Sequence, residues 1–393
     1  MNNFFARRKG WLVGLAALLG VFLLGWALLS RQPEAQVQSR LIPMERTPPA
    51  DTFTRAQGPR DLVFPRDHGP HPDFQTEWWY YTGNLEGQDG RRFGYQLTFF
   101  RRAVLPEADG TPRASDWAAN QIYMAHFTLT DASSEQFHYF ERFERGAAGL
   151  AGAQGEPAFQ VWLRDWSVEQ TGQDEYRLRA AEGPITLDLR LFDSKGIVLQ
   201  GDRGYSRKGP QPGNASLYYS QTRLESQGTV SIDGSSYEVS GLSWLDREIS
   251  TSALSKGQVG WDWFALQLDD GSEIMAYVLR REDGTIDAFS NGTFIFPDGS
   301  TLPLSRDDFQ IMPEGEWRSP HSGGTYPARW QLNVPSLSLN LTVEPQVADQ
   351  ELNVSFIYWE GSVRITGARE GKPVQGFGYV ELTGYAESLE GQL

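Results

Sequence analysis

The stretch EWWYYTGNL, residues 77–85, sets four aromatic side chains in a row behind a carboxylate. A strand buried on one face alternates apolar and polar residues, because successive side chains point to opposite faces. Here Trp78 and Tyr80 share one face and Trp79 and Tyr81 the other. Both faces must then be covered, one by a sheet interior and the other by a second layer. Glu77 falls at the edge of that seam.

Outward from this stretch the pattern continues. Runs such as RFGYQLTFF (92–100), ITLDLRLF (185–192), EIMAYVLR (273–280) and GYVELTGY (378–385) read as strands, with Asp-Gly pairs at 89–90, 233–234, 283–284 and 298–299 between them. No long helical period interrupts them. The 13 Trp, 15 Tyr and 22 Phe suit pleated, half-buried surfaces, and 41 Gly with 22 Pro suit many turns. Such spacing indicates an all-β protein of sandwiches or barrels. A weak internal repeat sharpens this. WWYYTGNLEGQDGRRFGYQL (78–97) is similar to WDWFALQLDDGSEIMAYVL (261–279), and GTVSIDGSSYEVSGLSWLD (228–246) to GSVRITGAREGKPVQGFGYVELTG (361–384). The repeat predicts two related antiparallel β-barrels packed together, over 61–240 and 241–393.

The N-terminus differs in kind. Arg7-Arg8-Lys9 precedes an uncharged run from Trp11 to Leu29, close to the roughly 20 residues of a membrane-spanning helix. Residues 1–31 therefore read as one N-terminal transmembrane anchor; the alternative is a cleaved signal that releases the rest to the periplasm. The basic cluster stays cytoplasmic, which places the remainder across a bacterial inner membrane. Residues 32–60, punctuated by five prolines, read as a tether.

A net charge of -15 argues against nucleic acid as a partner, since phosphate contacts need a basic face. The absence of cysteine excludes disulfides, thiolate zinc sites and thiol nucleophiles. No phosphate loop, dinucleotide fingerprint or nucleophile elbow occurs, so no cofactor is expected. RDHGPHPD (66–73) sets His68 and His71 among Asp67 and Asp73. Its Gly and Pro residues suit a segment capping a barrel end better than a metal site, and no metal is expected.

FPRDHGPHPDFQTEWWYYTGNL (64–85), SGLSWLDREIS (240–250), GWDWFALQLDDG (260–271), and YWEGSVRITG (358–367) with GYVELTGY together resemble the AttH-type, carotenoid 1,2-hydratase-like family. The resemblance covers essentially the whole chain after the tether. It implies two lipocalin-like (calycin) barrels, a long apolar ligand, and for characterised members the addition of water to a carotenoid double bond. Other members are membrane-linked and occur with ABC-type exporters carrying large-loop permeases; related proteins guide polyene cyclisation. In the hydratases WLD is followed by His, with Trp two residues later; here those positions are Arg247 and Ile249.

Alkene hydration needs a carboxylic acid still protonated near neutrality, aromatic faces for the cation, and a base for water. Read as a strand, SWLDREIS puts Trp244, Asp246 and Glu248 on one face, so Asp246 and Glu248 are the candidate catalytic pair. Trp78, Tyr80, His126, Trp244, Trp261, Trp263, Tyr277 and Trp359 are candidate ligand-binding residues. Glu77, Arg247, Asp262 and Glu360 are secondary polar candidates. The reading favours a membrane-anchored protein that binds a long apolar molecule, a lipid, isoprenoid or polyene, in association with an exporter permease. The alternatives are a hydratase or cyclase, and a structural adaptor without a small ligand.

Overall fold

The computed structural model describes residues 52–106, 119–252 and 254–390. The anchor and most of the tether lie outside the described residues; within them no helix is long and apolar enough to cross a membrane.

The described chain is all-β. The first sheet is built from β1 (Thr76–Gly87), β2 (Arg92–Ala103), β3 (Gln121–Asp131), β4 (Gln136–Arg145), β5 (Ala151–Gln154), β6 (Gln160–Leu163), β7 (Trp166–Gly172), β8 (Glu175–Glu182), β9 (Ile185–Asp193), β10 (Ile197–Leu199), β11 (Tyr205–Arg207), β12 (Ala215–Ile232) and β13 (Ser235–Ser250). The second comprises β14 (Gln258–Leu268), β15 (Glu273–Arg281), β16 (Asn291–Ile295), β17 (Thr301–Leu304), β18 (Gln310–Arg318), β19 (Thr325–Val334), β20 (Leu339–Pro345), β21 (Glu351–Asn353), β22 (Ile357–Arg369) and β23 (Lys372–Thr383). β13 runs straight through position 240, so the chain changes sheet after Ser250.

Both sheets are antiparallel and curled. In the first, the order is β4-β3-β2-β1-β13-β12-β9-β8-β7-β6-β5. Its ends approach each other: Arg142 of β4 reaches Glu182 of β8 and Asp165 beyond β6. The result is nearly a barrel. The second, β17-β16-β15-β14-β23-β22-β20-β19-β18, is a half-barrel. The sequence repeat is visible in the topology. The order β2-β1-β13-β12 in one sheet is matched by β15-β14-β23-β22 in the other.

Each sheet has its own filled interior. Trp79, Tyr81, Phe93, Leu97, Trp166 and Leu189 belong to the first core. Phe264, Trp330, Trp359, Val363 and Val380 belong to the second. A third cluster, with Tyr80, Tyr218, Trp244, Trp263, Tyr277 and Tyr379, draws residues from both sheets. The four aromatics of EWWYYTGNL divide accordingly, odd positions inward and even positions into the seam. The sheets approach closely there. A Cβ on Gly94 would come within 2.4 Å of the Ser362 Cβ in the other sheet.

Two local devices set the seam face of β13. Asp233 and Gly234 both have positive φ (51° and 81°), the requirement of the tight hairpin turn that joins β12 to β13. The pairing then shifts between Gln221 and Leu224, a bulge that brings Ser220 opposite Asp246 and Tyr218 opposite Glu248.

Candidate active site

The register of four neighbouring strands lays out one wall of a cavity. On β1, Tyr80 stands opposite Asp246 of β13 and Thr98 of β2; Trp78 stands opposite Glu248 and Phe100. β12 adds Ser220 beside Asp246 and Tyr218 beside Glu248. The facing wall comes from the second sheet. Trp263 of β14 is opposite Glu381 of β23 and Tyr277 of β15, and Glu381 is opposite Glu360 of β22. Between the walls lies a cavity of about 180 Å3 whose lining includes Trp78, Tyr80, Asp246, Glu248, Trp263 and Glu381. A cavity near 150 Å3 is enough for a benzene-sized molecule, so this one has room for a short apolar segment.

Asp246 is 3% exposed. Its Oδ1 accepts hydrogen bonds from the Ser220 hydroxyl and, at 2.9 Å, from the Trp244 indole N–H. Its Oδ2 is buried without a hydrogen-bond partner among the described residues. Burial pushes the carboxyl up to about 7, against the opposing pull of the Ser220 and Trp244 donors and of the neighbouring Tyr218 hydroxyl. The group thus retains a proton close to neutral pH. Glu248 differs: the Ser216 hydroxyl donates to it and the Lys208 ammonium lies 3.3 Å away. Lys208 in turn sits 4.1 Å from the Tyr277 ring centre.

Glu381, which the sequence reading did not single out, is the counterpart of Asp246 in the second sheet. It stands opposite Trp263 as Asp246 stands opposite Tyr80, and it accepts from the Trp261 indole at 2.9 Å. By accessible area it is only half-buried, because it borders the cavity. Burial, joined by the charges of Glu248 and Asp246, pushes it up to about 8. The signal for it was the internal repeat, which aligns the neighbourhood of SWLD with that of YVEL. Behind it, Glu360 accepts from the Tyr80 hydroxyl, and burial with the nearby Glu381 charge holds it well above the usual carboxylate range.

The structure brings Asp246, Glu248, Trp78, Tyr80, Trp261, Trp263 and Tyr277 together on the cavity, with Trp244 packed against Asp246. The other proposed residues lie off the cavity. Trp359 faces the second core, its ring centre 6.2 Å from that of Trp330, because odd and even positions of β22 point to opposite faces. His126 is fully buried behind the cavity wall, 2.6 Å from the Tyr358 hydroxyl and 3.1 Å from Glu141. Asp262 points away from Trp261 and Trp263 to Arg280 at 2.8 Å and the Tyr385 hydroxyl at 2.9 Å. Arg247 points opposite to Asp246 and Glu248, with its guanidinium 4.0 Å above the Trp79 ring and ion-paired to Glu77.

Glu77 is likewise off the cavity, at the end of the first sheet. Burial alone would raise its carboxyl, but Arg101 and Arg247 hold it well below the usual range. The RDHGPHPD segment straps that end: Arg101 takes the carbonyls of His71 (2.9 Å) and Phe74 (2.7 Å), and Arg247 takes that of Gly69 (2.7 Å). His71 lies between Glu77 and Asp67, while His68 bonds the Tyr219 hydroxyl at 2.7 Å. Burial and the Arg247 charge lower His68 to about 3, so its imidazole is neutral.

Comparison with known proteins agrees with this architecture. The AttH-like family model matches residues 55–385. The crystal structure of an AttH-assigned protein from Nitrosomonas europaea is 34% identical, superimposes with a TM-score of 0.74, and covers 84% of this chain and 99% of its own. Kievitone hydratase from Fusarium solani subsp. phaseoli is 23% identical over 223 residues, 53% of this chain and 59% of that protein. The crystal structure of kievitone hydratase from Nectria haematococca, at 16% identity, shares the fold with a TM-score of 0.63 over 86% of this chain and 98% of its own.

Proposed function

The chain belongs to the AttH-like family, and from that premise and the cavity's chemistry we propose that it is a hydratase-like enzyme adding water to a carbon–carbon double bond of an apolar, isoprenoid or polyene substrate. The two curled sheets are read as the lipocalin-like barrels of that family. The similarity to kievitone hydratase supports a hydratase reading. The observation that carries the proposal is Asp246, a buried acid with an unpartnered oxygen on an aromatic cavity, holding its proton up to about pH 7.

In this mechanism the Asp246 carboxyl gives its proton to one alkene carbon as the π pair forms the new C–H bond. Positive charge develops on the other carbon. The ring faces of Trp78, Tyr80 and Trp263 stabilise it through their quadrupoles. Water adds to that carbon, and its surplus proton passes to Glu248, which Ser216 and Lys208 hold in place. Proton exchange among the site's carboxyls restores Asp246. Glu381 supplies a second proton-bearing group on the facing wall.

The test is incubation of the purified protein with prenylated aromatics and linear polyenes in 18O-labelled water. The expected outcome is a product carrying one labelled hydroxyl, abolished by Asp246→Asn. Saturable binding with no label incorporated across the panel supports instead a carrier of apolar molecules, a reading the aromatic cavity also favours. An anchor over 1–31, a periplasmic location and an exporter permease as partner remain proposals from the sequence. Protease digestion of spheroplasts and co-purification from membranes check them.

A further inference from the structure

Among the described residues two cations border the cavity, and they are not equivalent. Lys208 and Glu248 neutralise each other across 3.3 Å. Asp246 and Glu381 carry protons in the neutral range. Arg102 stands apart. It lines the rim with its side chain exposed, and it forms no side-chain hydrogen bond or ion pair with another described residue. Protein packed around its stem lowers its pKa through burial alone. Among the described residues the cavity therefore presents one uncompensated positive charge at the mouth of an otherwise near-neutral apolar pocket. Water solvates this charge at the rim, and an anionic group of a ligand can take that water's place.

Its place in the register fits a ligand headgroup. Arg102 pairs with Thr76, which pairs with Ser250, so Arg102 is two strands from β13 and four residues along from the row of Asp246. Strand spacing and rise put their Cα positions on the order of 16 Å apart. All these side chains are on the seam face. Resting on the hydratase reading, we propose that Arg102 binds the carboxylate headgroup of an amphiphilic substrate whose unsaturated chain enters the cavity toward Asp246. The planar guanidinium matches a carboxylate in a two-point contact. The enclosed volume then receives only the reacting segment, while the rest of the chain lies along the rim formed by Thr76, Ser250, Ser252 and Leu254.

The test uses cis-parinaric acid and its methyl ester, read by energy transfer from tryptophan to the bound polyene, with thermal melts to confirm folding. Wild type is expected to bind the acid about tenfold or more tighter than the ester, the scale of a charged hydrogen bond. Arg102→Ala should remove that preference and leave ester binding unchanged; Arg102→Lys should restore part of it. Equal binding of acid and ester by wild type, or equal weakening of both by Arg102→Ala, overturns the headgroup assignment while the cavity remains a ligand site. Absence of binding by either probe overturns the assignment and the apolar-substrate reading together.

Discussion

Replacing Asp246 by Asn should separate the acid's chemistry from its cost to the fold. Burial moves this carboxyl from 3.8 to about 7. A shift of roughly 3 units at about 1.36 kcal/mol each amounts to about 4 kcal/mol. The sign follows from which form the fold accepts. The folded state favours the protonated acid, so its stabilising contribution is whole below pH 3.8. It shrinks as pH rises, and is gone above about 7. Wild type should therefore lose about 4 kcal/mol across that window from this group.

Asn escapes the loss because it never ionises. It keeps an oxygen for the Ser220 hydroxyl and the Trp244 indole, but it places two N–H groups where Oδ2 has no partner. Relative to the single O–H of the neutral acid, that costs about 1 kcal/mol more. The variant should then be more stable than wild type by about 3 kcal/mol at pH 8 and less stable by about 1 kcal/mol at pH 4. Urea unfolding followed by tryptophan fluorescence at pH 4, 6, 7 and 8 measures this crossover. A stability difference that stays constant across the series would refute the burial of a proton-holding acid at this site. So would a variant weaker than wild type at pH 8.

Three further outcomes follow from the same geometry. Glu77→Gln breaks a fully buried cluster with Arg101 and Arg247, and should cost about 3–5 kcal/mol in urea unfolding because two guanidinium groups lose their carboxylate. Glu248→Gln should leave binding of an apolar probe intact yet slow water addition by about 100-fold or more, the scale of a lost general base. In wild type, initial rates of addition should fall as pH rises through about 7, where Asp246 gives up its proton; a rate that climbs across that range would assign the acid elsewhere.

Alternation in SWLDREIS was enough to place Asp246 and Glu248 on one face and Arg247 on the other, because a strand has period two whatever surrounds it. The same rule divided Trp78 and Tyr80 from Trp79 and Tyr81. It could not say which face of a strand meets the cavity. That choice depends on how the sheets curl: Tyr358 and Glu360 hold the seam face of β22, while Trp359, a candidate from the sequence, faces the second core. Glu77 illustrates a second limit. A carboxylate beside aromatics looks the same in sequence whether it meets a substrate or two arginines, and both arginines here are distant in the chain. The repeat was legible as similar strands, but its consequence for Glu381 needed the register.

The seam location of the site follows from how the repeated hairpins are filled. Each curled sheet spends its concave face on a packed core, the first around Trp79 and Trp166 and the second around Trp330 and Trp359. Their other faces meet, and equivalent strands bring an equivalent acid from each side, Asp246 under the Trp244 indole and Glu381 under the Trp261 indole. Burial raises both, with the nearby Glu248 charge adding to each, which is the condition for protonating carbon near neutral pH. The two departures from the hydratase pattern, Arg247 and Ile249, lie on the face of β13 that turns away from this space. Arg247 holds the strap through Gly69 and Glu77, and Ile249 packs with Phe74 and Leu217. The substitutions therefore change how the end of the first sheet is closed, while the acid, the rings and the second carboxylate around the cavity are untouched by them.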